Sequence, residues 1–352
     1  MKAIIVHPPG AGVSIEDVNI NGNGPGIKIL ENGICGTDRE IVNGELSAAT
    51  SLNGFLVLGH EALGILEEDT KNLRKGDLVM PINRRGCGRC LNCMLGRPDF
   101  CETGEQLEAG ISGMHGFMRE YINDDERYLV KVPDVIRDIA IMAQPLADLE
   151  KSIEEMISIQ KRLHWPCIDG TYNCRKVLIT GTGTIGILFA MLLKTYGFSV
   201  YISNKREPND IESKIFDELS VKYKNLSNKI DESFDAIIEA SGSGTDVIER
   251  TLPLLKNNGF YGIFGFEKTG TLNLTSEFLQ GIVYKSINIT GLINGQKPHM
   301  EMAMNHLIQW KKQFPKTTSM MITEKVSINN ERRLKEVLSK KRPGEIKIKI
   351  IW

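Results

Sequence analysis

Four cysteines, Cys87, Cys90, Cys93 and Cys101, stand in the pattern Cys-x2-Cys-x2-Cys-x7-Cys, with Gly86, Gly88 and Gly96 supplying turns between them. Four soft thiolates on one short lobe (residues 87–101) suit a closed tetrahedral Zn²⁺ site with no position left for water, which is a structural site. A zinc-ribbon interaction module would instead set two knuckles roughly 15 to 20 residues apart. Two further clusters hold ligand-type side chains, Cys35-Gly36-Thr37-Asp38 and Gly59-His60-Glu61. Cys35, His60 and Glu61 offer a thiolate, an imidazole and a carboxylate, the set of about three ligands that an open, catalytic Zn²⁺ needs. Either cluster alone reads equally as a strand-to-turn transition or a core pair; their order along one chain gives them meaning. Seven cysteines in a chain of this size, four of them together, argue for metal ligation in a reducing compartment rather than for a disulfide framework.

A third element is Gly181-Thr182-Gly183-Thr184-Ile185-Gly186, directly after the apolar run 176–180 and directly before the apolar run 187–193. Gly-x-Gly-x-x-Gly between a strand and a helix is a dinucleotide turn, in which backbone N–H groups approach a pyrophosphate at a helix N-terminus. The next strand ends at Ser203-Asn204-Lys205-Arg206 with no acid at its tip. A ribose bearing a 2′-phosphate needs cations where NAD needs an acid. Asn204, Lys205 and Arg206 therefore predict NADP as the preferred cofactor, and Glu207 just beyond leaves NAD accepted.

These sites need a β-rich scaffold and a doubly wound sheet, and the sequence supplies both. Residues 1 to about 130 are rich in Gly and β-branched runs, and the first strand ends in a turn at Pro8-Pro9. A helix is expected over 144–161, where Leu146, Leu149, Ile153, Met156 and Ile157 recur at helical spacing. Strands at 176–180, 199–202, 236–239, 262–264 and 287–289 alternate with helical stretches, the pattern of a parallel α/β sheet. From about residue 293 a helical stretch and the terminal strand 346–351 leave this repeat and return to the first domain. The 352 residues, 41% apolar and 25% charged, allow two domains with separate cores. With 43 basic and 44 acidic residues there is no global field for nucleic acid or an anionic membrane; the cluster Lys340-Lys341-Arg342 reads as a solvated helix end. No run approaches the 18 or so apolar residues of a membrane span, and the N-terminus lacks an export signal, so a cytoplasmic protein is expected.

Taken in order and spacing, Cys35, Gly59-His60-Glu61, the four-cysteine lobe and the dinucleotide turn resemble the zinc-containing medium-chain dehydrogenases. The stretches Gly33 to Gly44, Asn83 to Gly88 and Gly291 to His299 are similar to archaeal glucose dehydrogenases. The resemblance implies a GroES-like catalytic domain (1–175 and 293–352), a Rossmann domain (176–292), two zinc ions per subunit, a homotetramer, and oxidation of an aldose at C1 to the lactone. It implies Thr37 as the start of the proton path, where the residue alone reads equally as a turn threonine. It also assigns Gln144 to the catalytic metal, directly or through a water, and Phe264 and Asn294 to the cofactor. Asn83, Glu108, Asp148 and Asn294, with Thr37 and Gln144, match sugar-contacting positions; where the family has a histidine after Gln280, this chain has Tyr284. A zinc polyol or secondary-alcohol dehydrogenase would share the zinc ligands but not the sugar-contacting set. A catalytically silent binding protein on the same fold would not need Cys35, His60 and Glu61 intact.

Overall fold

The computed structural model describes all residues except 8, 9, 47, 48, 267, 268 and 274, so the expected turn at Pro8-Pro9 lies outside the described residues. The chain divides into two compact units: Met1–Ala147 with Asn294–Gln313 and Met321–Trp352, and Asp148–Ile293 with Phe314–Met320. The first division falls at Ala147/Asp148, not at the expected 175/176. The helix Ala143–Gln160 begins in one unit and continues in the other, and the segment after it packs with the second, where Arg175 ion-pairs with Asp235.

The first unit is built on a seven-stranded sheet. Its central strand, Gly26–Gly33, pairs antiparallel with Ala62–Leu66 on one side and with the terminal strand Lys347–Ile351 on the other. Ile4, Val6, Ile34, Ile41, Ile348 and Ile350 belong to one buried core there. Register does the positioning. Asn32 opposes Ala62 and Gly33 opposes Lys349, so the chain leaving the first strand at Cys35, the chain entering the second at His60-Glu61 and the start of the third at Lys347 converge at one end of the sheet.

The second unit holds six parallel strands in the spatial order Lys222–Asn225, Ser199–Asn204, Lys176–Thr180, Phe234–Glu239, Leu255–Ile263, Asn288–Gly291. Numbered within this unit the order is 3-2-1-4-5-6, the doubly wound arrangement that binds dinucleotides where the order reverses. Apolar strands form its middle, with Leu178, Phe234, Ile237 and Tyr261 in the core. Lys222–Asn225 is a strand that apolar patterning does not reveal: Lys-Tyr-Lys-Asn is an edge sequence, charged as exposed edges tend to be.

Cys167 and Cys174 form a disulfide closing a short loop, which departs from the expectation of metal-binding thiols alone. Each lies in the irregular segment between the helix Ala143–Gln160 and the first parallel strand, where Trp165, Tyr172 and Phe198 pack ring against ring. A bridge over so short a loop restricts the unfolded chain modestly. Replacing both cysteines with serine is expected to lower stability by about 2 kcal/mol, read as a lower melting temperature. An unchanged melting temperature, or one equally lowered by reductant in the variant, would remove the bridge from the account.

Candidate active site, structural metal lobe and nucleotide turn

The helix Gly36–Asn43 starts at Cys35, and Asp38 in its first turn reaches back so that the Cys35 backbone N–H donates to its Oδ2 at 2.8 Å. The other Asp38 oxygen faces His60 Nδ1 at 3.7 Å, and both atoms are buried without a hydrogen-bond partner. That contact leaves Nε2 of His60 for a metal, with a carboxylate behind the ring to orient it. The ligand atoms of Cys35, His60 and Glu61 lie within 4.8 Å of one another. Burial opposes a charge on His60, but Asp38, Cys35 and Glu61 outweigh it and push its pKa up to about 10. A thiolate, an imidazole and a carboxylate gathered this closely are a donor set that would suit Zn²⁺.

Glu61 is held from behind. Lys347 Nζ donates to its Oε1 at 2.7 Å and its Oε2 at 2.8 Å, and to the Ile34 carbonyl at 3.3 Å, with both side chains buried. Burial alone would strip the Lys347 proton; Glu61 and Cys35 outweigh it and hold the ammonium. Gly33 makes room for this pair, since a Cβ there would sit 1.9 Å from Glu61 Oε2. Neither Asp38 nor Lys347 received a role from sequence reasoning. Their opposite charges leave the balance of Cys35, Glu61 and Zn²⁺ neutral. The Cys35 thiol faces Thr37 Oγ1 at 3.8 Å, placing that hydroxyl at the rim of the cluster. Gln144 is buried in the first turn of its helix, three residues after Ile141, which borders Gly33.

Cys87, Cys90, Cys93 and Cys101 form the second group of ligand atoms within the same 4.8 Å limit. Backbone N–H groups of Arg89 and Cys90 donate to Cys87 Sγ at 3.5 and 3.3 Å, that of Cys93 to Cys90 Sγ at 3.5 Å, and that of Cys87 to Cys101 Sγ at 3.4 Å. Bonds from Thr103 and from these amides bring the Cys87 pKa down to about 6 and lower that of Cys101, whereas burial and the neighbouring thiols push Cys93 up to about 12. Sulfurs receiving such amides are prepared to be thiolates, so this lobe also fits Zn²⁺.

At the nucleotide turn, Gly183 caps the helix Thr184–Thr195 and makes no side-chain cap hydrogen bond of its own, which suits an anion-binding helix N-terminus. Gly186 is obligatory for packing: a Cβ there would lie 1.9 Å from the Gly181 carbonyl oxygen. Ile185 follows Thr184 in the first turn, and Thr182 Oγ1 accepts from Asn204 Nδ2 at 2.8 Å, which ties the turn to the end of the second strand.

Two family descriptions match this chain, "Alcohol dehydrogenase GroES-like domain" over residues 26–134 and "Glucose dehydrogenase C-terminus" over residues 137–348. Glucose 1-dehydrogenase 2 of Saccharolobus solfataricus and that of Caldivirga maquilingensis are each 51% identical to it, covering 100% of both chains. The chain belongs to the glucose dehydrogenase family. A solved structure of Haloferax mediterranei glucose dehydrogenase in complex with NADP, Zn and gluconolactone shares the fold, with a TM-score of 0.87 at 23% identity over 100% of this chain and 99% of that one.

For a glucose dehydrogenase, the remaining expected site residues are distributed as follows. Asn83 and Glu108 are neighbours: the Asn83 carbonyl accepts from the Ala109 N–H at 2.9 Å, and Glu108 ion-pairs with Arg84 across the ladder. Asn294, at φ 77°, donates through Nδ2 to the Asp99 carbonyl at 3.3 Å. Asp148 lies in the other unit, its carbonyl accepting from Ser152 Oγ at 2.7 Å. Phe264 directly follows the fifth parallel strand and meets Phe189 edge-on at 5.4 Å. Tyr284 is 84% exposed on the helix Ser276–Lys285.

Proposed function

We propose that this chain oxidises D-glucose and related aldoses such as galactose and xylose at C1 to the aldonolactone, reducing NADP in preference to NAD. The observation that carries this reading is the convergence of Cys35, His60 and Glu61 on one point, in a chain whose full-length relatives are glucose 1-dehydrogenases. Zinc bound by these three residues, with Gln144 adjoining, would supply Lewis acidity to the sugar hydroxyl, and the nicotinamide would supply the hydride acceptor. Asp38 orients the His60 ring and Lys347 fixes the Glu61 carboxylate, so both donors are held before substrate arrives. Thr37 Oγ1 stands at the start of the proton path, where its hydroxyl would accept the proton released from the C1 hydroxyl while passing its own on toward solvent. Asn83, Glu108, Asp148 and Asn294 meet sugar hydroxyls, each of which would cost about 1 to 3 kcal/mol if buried unmatched. Arg206, with Asn204 and Lys205, meets the 2′-phosphate of NADP.

A cytoplasmic homotetramer completes the reading. It is supported by Leu279, Val283 and Tyr284, exposed on the helix Ser276–Lys285, beside the sheet edge Asn288–Gly291 that has no buried residue. Among the described residues no helix is long and apolar enough to cross a membrane.

The test is NADP reduction by zinc-loaded protein with glucose, galactose, xylose, sorbitol and ethanol side by side. Turnover confined to the aldoses is expected. Turnover on sorbitol or ethanol alone would make the chain a polyol or secondary-alcohol dehydrogenase, and none on any substrate would leave a binding protein.

A further inference from the structure

The end of the second parallel strand carries the cations expected for a 2′-phosphate, yet each is already paired. Arg206 Nη1 donates to Glu212 Oε2 and Nη2 to Glu212 Oε1, both at 2.7 Å. Nη1 also donates to the Glu207 carbonyl at 2.9 Å, and Nη2 approaches Thr182 Oγ1 at 3.5 Å. Only Nε is left without an acceptor among the described residues. Lys205 Nζ meets Asp246 at 2.8 Å. Glu212 is buried and its oxygens also accept from Thr182 Oγ1 at 2.6 Å and from the Asn209 N–H at 2.8 Å, where it closes the capping box of the helix Asp210–Leu219. Burial raises the Glu212 pKa, but the bonds from Arg206, Thr182 and Asn209 outweigh it and keep the group ionised.

We propose that Glu212, seconded by Asp246, is a cofactor-selectivity residue that acts through Arg206, holding the preference for NADP down so that NAD is also used. An incoming 2′-phosphate meets an arginine whose charge is cancelled and whose paired N–H groups are spent on a carboxylate, and that carboxylate repels the phosphate. NAD, lacking the phosphate, encounters neither effect. The inference rests on the reading of Arg206 as the 2′-phosphate contact.

Glu212→Gln removes the negative charge and keeps an oxygen for the Asn209 N–H, so the helix cap survives, while its amide nitrogen can donate to Thr182 Oγ1. The experiment measures dissociation constants for NADPH and NADH by nucleotide fluorescence on zinc-loaded wild type, Glu212→Gln, Asp246→Asn, Arg206→Ala and the Arg206→Ala/Glu212→Gln double variant. Glu212→Gln is expected to shift the NADPH-to-NADH affinity ratio about tenfold toward NADPH, and Asp246→Asn, at a more exposed pair, about twofold to threefold. The Glu212→Gln shift should vanish in the Arg206→Ala background. A ratio unchanged or shifted toward NADH in Glu212→Gln, while Arg206→Ala selectively weakens NADPH, overturns the inference alone. Equal weakening of both nucleotides by Arg206→Ala overturns the reading beneath it. Should Glu212→Gln fail to fold, Asp246→Asn decides, since its side chain is 59% exposed and a ratio that does not move there refutes the charge compensation.

Discussion

Cys35→Ser is expected to reduce aldose oxidation on the order of a thousandfold, the loss of several kcal/mol of charge stabilisation at the reacting oxygen. The fold should survive, because serine is a favoured residue at a helix N-terminus and Cys35 occupies that position before Gly36–Asn43. Asp38 would still accept from the backbone N–H of position 35, since that bond does not involve sulfur. Metal analysis is the second readout. Of the two ligand groups, only Cys35, His60 and Glu61 is disturbed, so zinc should fall by one ion per chain while the four-cysteine group keeps its own. Retained turnover with retained zinc would remove Cys35 from the metal, and loss of both ions would point to a general failure of folding.

How much of this was legible in the sequence depends on how local each feature is. The four-cysteine lobe is contained within 15 residues and could be read from spacing alone. The dinucleotide turn was readable because strand, turn and helix are consecutive. Cys35 and His60-Glu61 are joined only by strand register, so the sequence offered their residue types and order, and the sheet supplied the meeting point. Lys347 was hidden for a physical reason. In the terminal strand Ile-Lys-Ile-Lys-Ile, alternation suggests isoleucines inward and lysines in water. Instead Lys347 and Lys349 are both buried, paired with Glu61 and Glu31, while Ile348 and Ile350 fill the opposite face. The basic end of the second nucleotide strand was legible only in part. Lys205 and Arg206 read as available charge, and their partners Asp246 and Glu212 lie on later helices that spacing does not connect to them.

Lys347→Met should expose what that buried ammonium does. Removing one partner of a buried ion pair leaves the other uncompensated, at a cost of about 3 to 5 kcal/mol. The stranded group would be Glu61, which is fully buried. A metal bound at Glu61 provides an opposing charge of its own, so the penalty should be smaller in zinc-loaded protein than in protein stripped by a chelator. The expected result is a melting temperature lower by on the order of 10 °C in the stripped variant relative to stripped wild type, with the gap narrowing when zinc is restored. Adding Glu61→Gln to Lys347→Met should recover much of the stripped-state loss, because no unpaired carboxylate then remains. An equal penalty with and without zinc would mean that Glu61 answers to Lys347 alone and does not face the metal. That outcome would leave Cys35 and His60 without their third protein donor and would shift the weight of the site onto Gln144, the buried neutral group one helical turn past Ile141. A narrowing gap would place the metal and the ammonium on the same carboxylate, with Lys347 keeping Glu61 in position whenever zinc departs.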